Sequence, residues 1–518
     1  MTTPAEKRAT PRTWIGLAVL VLPMLLISID GMVLMFGLPA ITEELKPSGA
    51  EQLWMLDIYA LMIAGLLITM SSIGDRIGRR RLLMIGAVGF VAASILGALA
   101  TAPWMLILSR ALLGVAGATI MPSTLSLIRN MFLDRAQRRG AMAVWAAMAS
   151  VGAAGGPIVG GWIMEHFTWH VAFLMNIPVM VLLLILAPFF IPESRNPAPG
   201  RIDPFSVVLS LVGMIAVVYG IKTLAEGKSP WSGLAVLVAG LVLLVVFGRR
   251  QLRIPDPMIN VRLFRVRAFS GAVIVDLVSV FALVGSLFAL TQYLQLVVGL
   301  TPIQSALWLL PEAAVSATAG FIAAALVKRV PASVLVAVGA VVTAGGFALL
   351  LTLTPHTSPV VIAVSLCLVG LGAGVGLTLT NDIIMSSVRS ENAGQAAAVS
   401  ETAYELGTAL GTAILGSVLL AFYRSGLADG AALGVPESAL AAAEETLASA
   451  LAIAAELPGT IGASLADLAT GSFSQASAWT GGIGAVLMIG AAVFAGITLR
   501  GVSSAADLTE ADAVDAGH

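Results

Sequence analysis

The sequence predicts an all-α membrane protein with fourteen spans, and three observations carry that reading. Of its 518 residues, 58% are hydrophobic and only 11% charged, where an ordinary soluble domain carries roughly 25% charged residues. The charges gather in short clusters between apolar runs, and about 20 apolar residues are needed to cross the hydrocarbon. Basic residues also collect on one side. With the N-terminus placed in the cytoplasm, twenty-three of the 28 lysines and arginines fall in cytoplasmic segments. Four (Lys46, Lys222, Lys228 and Arg424) lie outside or near it, and Arg110 is inside a span. This is the asymmetry of the positive-inside rule. A miscounted span would invert every loop downstream, so both termini are expected in the cytoplasm.

The apolar runs lie near 14–38, 52–73, 82–101, 104–128, 141–163, 171–191, 205–225 and 231–248. A further set follows near 268–291, 303–327, 333–353, 359–385, 395–422 and 477–499. The first, Trp14 to Leu38, is too long for a signal-peptide core and no small-residue cleavage site closes it, so it reads as a retained helix. The external connection 424–476 is Ala-rich, carries Glu437, Glu444, Glu445, Glu456 and Asp467, and breaks at Pro458-Gly459. It predicts two short amphipathic helices folded as a hairpin, either a plain surface loop or a functional one. A net charge of −1 argues against a nucleic-acid partner. Cys367 is the single cysteine, which excludes an intramolecular disulfide and a cysteine metal site. Neither a metal-ligand cluster, a nucleophile elbow nor a phosphate loop appears, and the four histidines (His166, His170, His356, His518) sit at or beyond span ends. No enzyme and no cofactor is expected.

Motifs sharpen the reading. Between the second and third spans runs Ser71-Ser72-Ile73-Gly74-Asp75-Arg76-Ile77-Gly78-Arg79-Arg80-Arg81. Gly78 permits a tight reversal and the arginines hold the loop in the cytosol, while Asp75 is suited to accept hydrogen bonds from a helix N-terminus. In the fourth span stands Arg110-Ala111-Leu112-Leu113-Gly114. An arginine at this depth costs roughly 2.5–3.5 kcal/mol on insertion scales, so Arg110 must be paired structurally or used in function. The fifth span carries Gly152-Ala153-Ala154-Gly155-Gly156-Pro157-Ile158-Val159-Gly160-Gly161. Its small residues let two helices approach closely, and Pro157 removes a backbone bond and bends the helix.

Together with Ile29 to Pro39 in the first span and Val399 to Gly407 in the thirteenth, these motifs resemble the fourteen-span drug:proton antiporter family of the major facilitator superfamily. Two departures stand out: Ser71 replaces a usual glycine and Met32 a usual threonine. The resemblance covers almost the whole chain and implies the major facilitator fold, two six-helix bundles joined by a two-helix linker. Residues 1–200 would form the N-terminal bundle, 201–260 the extra spans, 261–500 the C-terminal bundle with the hairpin at 424–476, and 501–518 a cytoplasmic tail. A degraded second loop signature at Ala324 to Pro331 fits the repeat. The family implies that Asp75, with Arg76, Gly78 and Arg79, latches the outward-open state against a helix of the opposite half. Gly152, Gly156, Pro157, Gly160 and Gly161 would serve the same gating as its antiporter signature, and Arg110 would take part in proton transfer. The implied activity is proton-driven export of lipophilic cations such as quaternary ammonium antiseptics and ethidium-like dyes, by a monomer in the lipid bilayer using the proton gradient. The alternatives are export of a lipid, a native metabolite or a self-made antibiotic, and a scaffold or receptor that transports nothing.

Acids within apolar runs are the candidate site: Asp30, Asp57, Asp276, Glu312, Glu401 and Glu405. Each costs several kcal/mol if ionised in lipid, so they should face an internal cavity. A carboxylate attracts a cationic guest, and protonation cancels that attraction. Glu401 and Glu405 are four residues apart, hence on one helical face, and one of the two is expected to hold a proton. The resemblance links Asp30 and Glu401 to proton coupling. The family member that handles divalent cations has an acid in the tenth span where this chain has Ser316, one turn from Glu312. Asp276 is open between a substrate contact and a buried acid paired with a hydroxyl. Asp57, toward the outer end of its span, is open between a substrate contact and a solvated side chain.

Overall fold

The computed structural model describes residues 9–195, 203–226, 229–254, 257–388 and 393–500. The expected tail at 501–518 lies outside them, as do Lys7, Arg8, Arg201, Lys228 and Arg389. Among the described residues, fourteen helices are long and apolar enough to cross a bilayer, one for each run read from the sequence. They are α1 (Pro11–Leu45), α2 (Gly49–Ile77), α3 (Arg79–Ala98), α4 (Pro103–Met131), α5 (Ala136–His166), α6 (Val171–Phe190), α7 (Pro204–Ala225) and α8 (Pro230–Gln251). The rest are α9 (Arg267–Val297), α10 (Pro302–Leu326), α11 (Ala332–Leu350), α12 (Pro359–Ser386), α13 (Gln395–Leu427) and α16 (Gly459–Thr498). Two short helices, α14 (Glu437–Ala443) and α15 (Leu447–Glu456), precede the last.

Local sequence sets the ends of these helices. Proline opens α1, α4, α8, α10 and α12, where its missing N–H would have had no intrahelical partner anyway. Capping boxes start α2 (Ser48 with Glu51) and α10 (Thr301 with Gln304), satisfying donors that lipid cannot. Gly78, at φ 111°, turns α2 into α3. Only glycine adopts that conformation without strain.

The packing repeats itself. In the first half α1 packs on α5 and α6, α4 on α2 and α3, and α3 on α6. The second half repeats this set, with α9 on α13 and α16, α12 on α10 and α11, and α11 on α16. Between the halves, α5 meets α10 and α2 meets α13, two contacts that the same correspondence interconverts. The helices α7 and α8 pack on each other, and α7 also touches α2 and α13.

Seam contacts lie toward the face that carries α14 and α15. There Thr301 Oγ1 donates to Glu165 at 3.0 Å, joining the start of α10 to the end of α5. Glu445 accepts from Arg424 of α13 at 2.8 Å and from the Gly49 backbone of α2 at 3.0 Å. The expected hairpin is present, broken at Pro458, but its second arm is not a separate short helix. It is the start of α16, which begins at Gly459 rather than near 477 and packs on α15. A second difference concerns Lys222, read as outside or near it. It lies inside α7 and is 3% exposed.

Candidate functional site

A buried polar hub holds the first bundle together. Arg110 Nη1 donates to Asp30 Oδ2 at 2.6 Å and Arg110 Nε to the Met55 carbonyl at 3.2 Å. The guanidinium stands 4.3 Å from the Tyr59 ring centre. Asn176 Nδ2 donates to the other Asp30 oxygen at 3.0 Å and contacts Ser94 Oγ at 3.3 Å. Asp30 is 4% exposed and Arg110 2%. Four helices, α1, α2, α4 and α6, thus meet on one ion pair. A pair taken out of water persists only when its remaining hydrogen-bonding capacity is met, which Asn176, Met55 and the Tyr59 face supply. Sequence reasoning selected Asp30 and Arg110 but left them apart and missed Asn176 and Tyr59. An amide inside an apolar run was the available signal.

The acids of the second bundle form a looser group. Asp276 on α9 accepts from Thr380 Oγ1 of α12 at 3.0 Å, the hydroxyl-paired placement. Glu312 on α10 lies against α12, where a β-carbon added at Gly370 would come within 3.0 Å of its carboxylate. Glu401 is half-buried and Glu405 buried. Glu405 stands one turn before Ala409, which shares an apolar cluster with Ile58 and Leu61 of α2, so this acid lies beside the seam.

Asp57 is apart from both. It is 1% exposed, with Oδ2 2.7 Å from Lys222 Nζ on α7, and Lys222 stands 3.8 Å from the Trp54 ring centre. The solvated placement is thereby corrected: proximity to a helix end brought Asp57 under a neighbouring helix, not into water.

The glycine run of α5 has two jobs. β-Carbons at Gly152, Gly156 and Gly160 would stand 2.6 Å from the Leu25 carbonyl, 2.8 Å from Met32 Cβ and 3.0 Å from Val33 Cα, all on α1. At Gly161 the β-carbon would meet Ile303 Cα and the Pro302 carbonyl of α10 at 2.8 Å, across the seam. Pro157 sits between these contacts. The spacing of Gly152, Gly156 and Gly161 recurs in α13 as Gly407, Gly411 and Gly416, a repeat the sequence reading missed. Gly407 and Gly411 face Leu277 and Phe281 of α9, and Gly416 faces Leu53 of α2 across the seam. Where α5 has its proline, α13 has a π-helical turn at Gly411–Leu415.

At the opposite face, Asp75 accepts two bonds from Arg79, at 3.0 and 2.6 Å. Arg76 is exposed and Arg79 buried. Glu193, after α6, accepts from the backbone of Arg80 at 3.0 Å and packs on Gly78. It docks the loop on its own bundle and was not singled out from sequence.

Two related six-helix bundles with ionisable side chains in their interior, joined by a helix pair, are the architecture of a multi-pass membrane transporter. The chain belongs to the Major Facilitator Superfamily, whose family model matches residues 20–412. It is similar to the multidrug efflux pump LfrA of Mycolicibacterium smegmatis, 44% identical over 96% of this chain and 98% of that one. It is also similar to the methyl viologen resistance protein SmvA of Salmonella typhimurium, at 34% over 89% and 93%. Among solved structures, a bacterial homolog of the human lysosomal transporter Spinster, inward-facing and unoccupied, shares the fold. That match has a TM-score of 0.68 at 19% identity, covering 95% and 98% of the two chains.

Proposed function

We propose that the protein is a proton-driven exporter of lipophilic cations that works by alternating access, with both termini in the cytoplasm. The observation that carries the reading is the buried Asp30–Arg110 pair in one bundle, with the acids Asp276, Glu312, Glu401 and Glu405 in the other. Positive guests of two kinds, protons and an organic cation, would compete for one limited stock of buried negative charge. A cation entering between the bundles is drawn by Glu401, Glu405, Asp276 and Glu312. A proton reaching Asp30 or Glu401 cancels part of that attraction. At Asp30 it also removes the negative half of the buried ion pair and leaves the Arg110 charge uncompensated, loosening the hub that ties α1 to α4. Likeness to a multidrug efflux pump and to a methyl viologen resistance protein supports an organic cation as cargo.

Release toward the hairpin face requires the Gly161 and Gly416 contacts to part. As the basic ends close, Asp75 would exchange Arg79 for a helix N-terminus of the second bundle. The test is ethidium flux in proteoliposomes under an imposed pH gradient. Flux should follow the gradient, collapse with a protonophore and be lost in D30N. Ethidium movement that ignores the gradient would falsify the coupling.

A further inference from the structure

The helix pair α7–α8 lies beside a seam that has to move if the bundles rock. Met214 and Val218 of α7 share one apolar cluster with Ile58 and Leu61 of α2 and with Ala409 and Ala413 of α13. One helix therefore touches both bundles. A charged contact joins it to the first bundle. Lys222 Nζ is 2.7 Å from Asp57 Oδ2 and 3.8 Å from the Trp54 ring centre, both on α2. Trp54 and Asp57 are three residues apart, so a single helical face presents ring and carboxylate together. An ammonium between an aromatic face and a carboxylate gains from both. With Asp57 1% and Lys222 3% exposed, removing either leaves an uncompensated buried charge. On the other side, Ser417, Leu420 and Arg424 of α13 line the cleft beside Lys222. None is acidic, and Arg424 is committed to Glu445 at 2.8 Å. An ion pair joins α7 to α2, while its contacts with Ala409 and Ala413 of α13 are apolar.

We infer that Lys222 and Asp57, beneath the Trp54 ring, form a tether that makes α7–α8 part of the first bundle, and that Asp57 serves this tether and is not a contact for cargo. The second half rests on the transport reading above; the first stands without it. Lys222 is then a positioning residue that keeps the added pair clear of the moving seam.

A double-mutant cycle on the full chain tests this, with D57N, K222M and D57N/K222M read by unfolding midpoint in nanodiscs and by ethidium flux. Each single change should lower the midpoint and cut flux roughly tenfold, the scale of coupling between residues in contact. The double change should regain most of both, because no buried charge is left over. Should the singles fail to insert, the swap D57K/K222D takes their place beside the neutral double, and the tether predicts that both fold. Additive midpoints, or no rescue by either double, overturn the tether. Coupled midpoints with flux still lost in D57N/K222M would instead place Asp57 on the cargo path and overturn the second half. If the unaltered chain moves no ethidium, the transport reading fails, and the midpoints still decide the tether.

Discussion

Arg110 serves Asp30, the Met55 carbonyl and the Tyr59 ring at once, and only a planar fork does this. Lysine keeps the charge but not the fork. R110K should therefore fold and lose roughly tenfold in flux, equivalent to ~1.4 kcal/mol, whereas R110A strands a buried carboxylate and should lose about 3–5 kcal/mol of stability. Unfolding midpoints and flux on the same preparations check both. A second charged contact joins Asp203, just before α7, to Arg250 in the last turn of α8. The Arg250 guanidinium beside Asp203 is the largest cause of the drop that takes its carboxyl from 3.8 to about 2, with Ser206 also donating to it, and Arg250 Nε stands 2.8 Å away. A depressed carboxyl contributes stability above its unfolded value and loses it as pH falls through the folded one. The link between the basic ends of α7 and α8 should thus hold above about pH 4 and fade toward pH 2. D203N should lower the midpoint at pH 7 and leave it unchanged near pH 2; an equal effect at both would refute the pairing.

At the scale of a helix, the close approach of α5 to α1 depends on which glycines face it. A methyl at Gly152 would press on the Leu25 carbonyl at 2.6 Å, and overpacking of that kind costs about 1–3 kcal/mol. Gly155 has nothing within 4 Å, so G155A should match the unaltered midpoint while G152A falls. The existence of every span was legible in the sequence, because a bilayer leaves an apolar helix no alternative to satisfying its own backbone. Partners were less legible. Hydropathy ranks depth along a segment but not direction around it, so Lys222, three residues from the end of its helix, read as near water when the fold turns it onto Asp57. The start of α16 was missed for a related reason: hydropathy marks where a helix enters lipid, not where the helix begins. Arg110 and Asp30 were found because each costs energy alone in lipid. That they repay this cost to one another, with Asn176 completing the set, is decided by the packing of four helices distant in sequence.

Across the whole molecule, the two bundles share a packing scheme but not a charge pattern: the first buries a closed ion pair, the second a group of acids. The glycine pattern does recur, and this makes the seam testable. Gly161 touches α10 through backbone, Ile303 Cα and the Pro302 carbonyl, whereas Gly416 touches α2 through the Leu53 side-chain tip. Side chains yield and backbone does not, so equal methyl additions should act unequally. G161A should disfavour the closed hairpin-side seam by about 1–3 kcal/mol, with each ~1.4 kcal/mol moving the population tenfold. G416A should do less, because Leu53 can rotate. The readout is Ser305, on α10 beside this contact and fully buried. In a C367S background, maleimide labelling of S305C in nanodiscs reports how often the seam opens. Faster labelling in G161A than in G416A, with G155A at the unaltered rate, is the expected order. Equal rates in all three would mean that the seam does not govern access at this face. In that case the rocking of the bundles about the paired glycine helices would have to be abandoned, even if the fold and the buried ion pair were left intact.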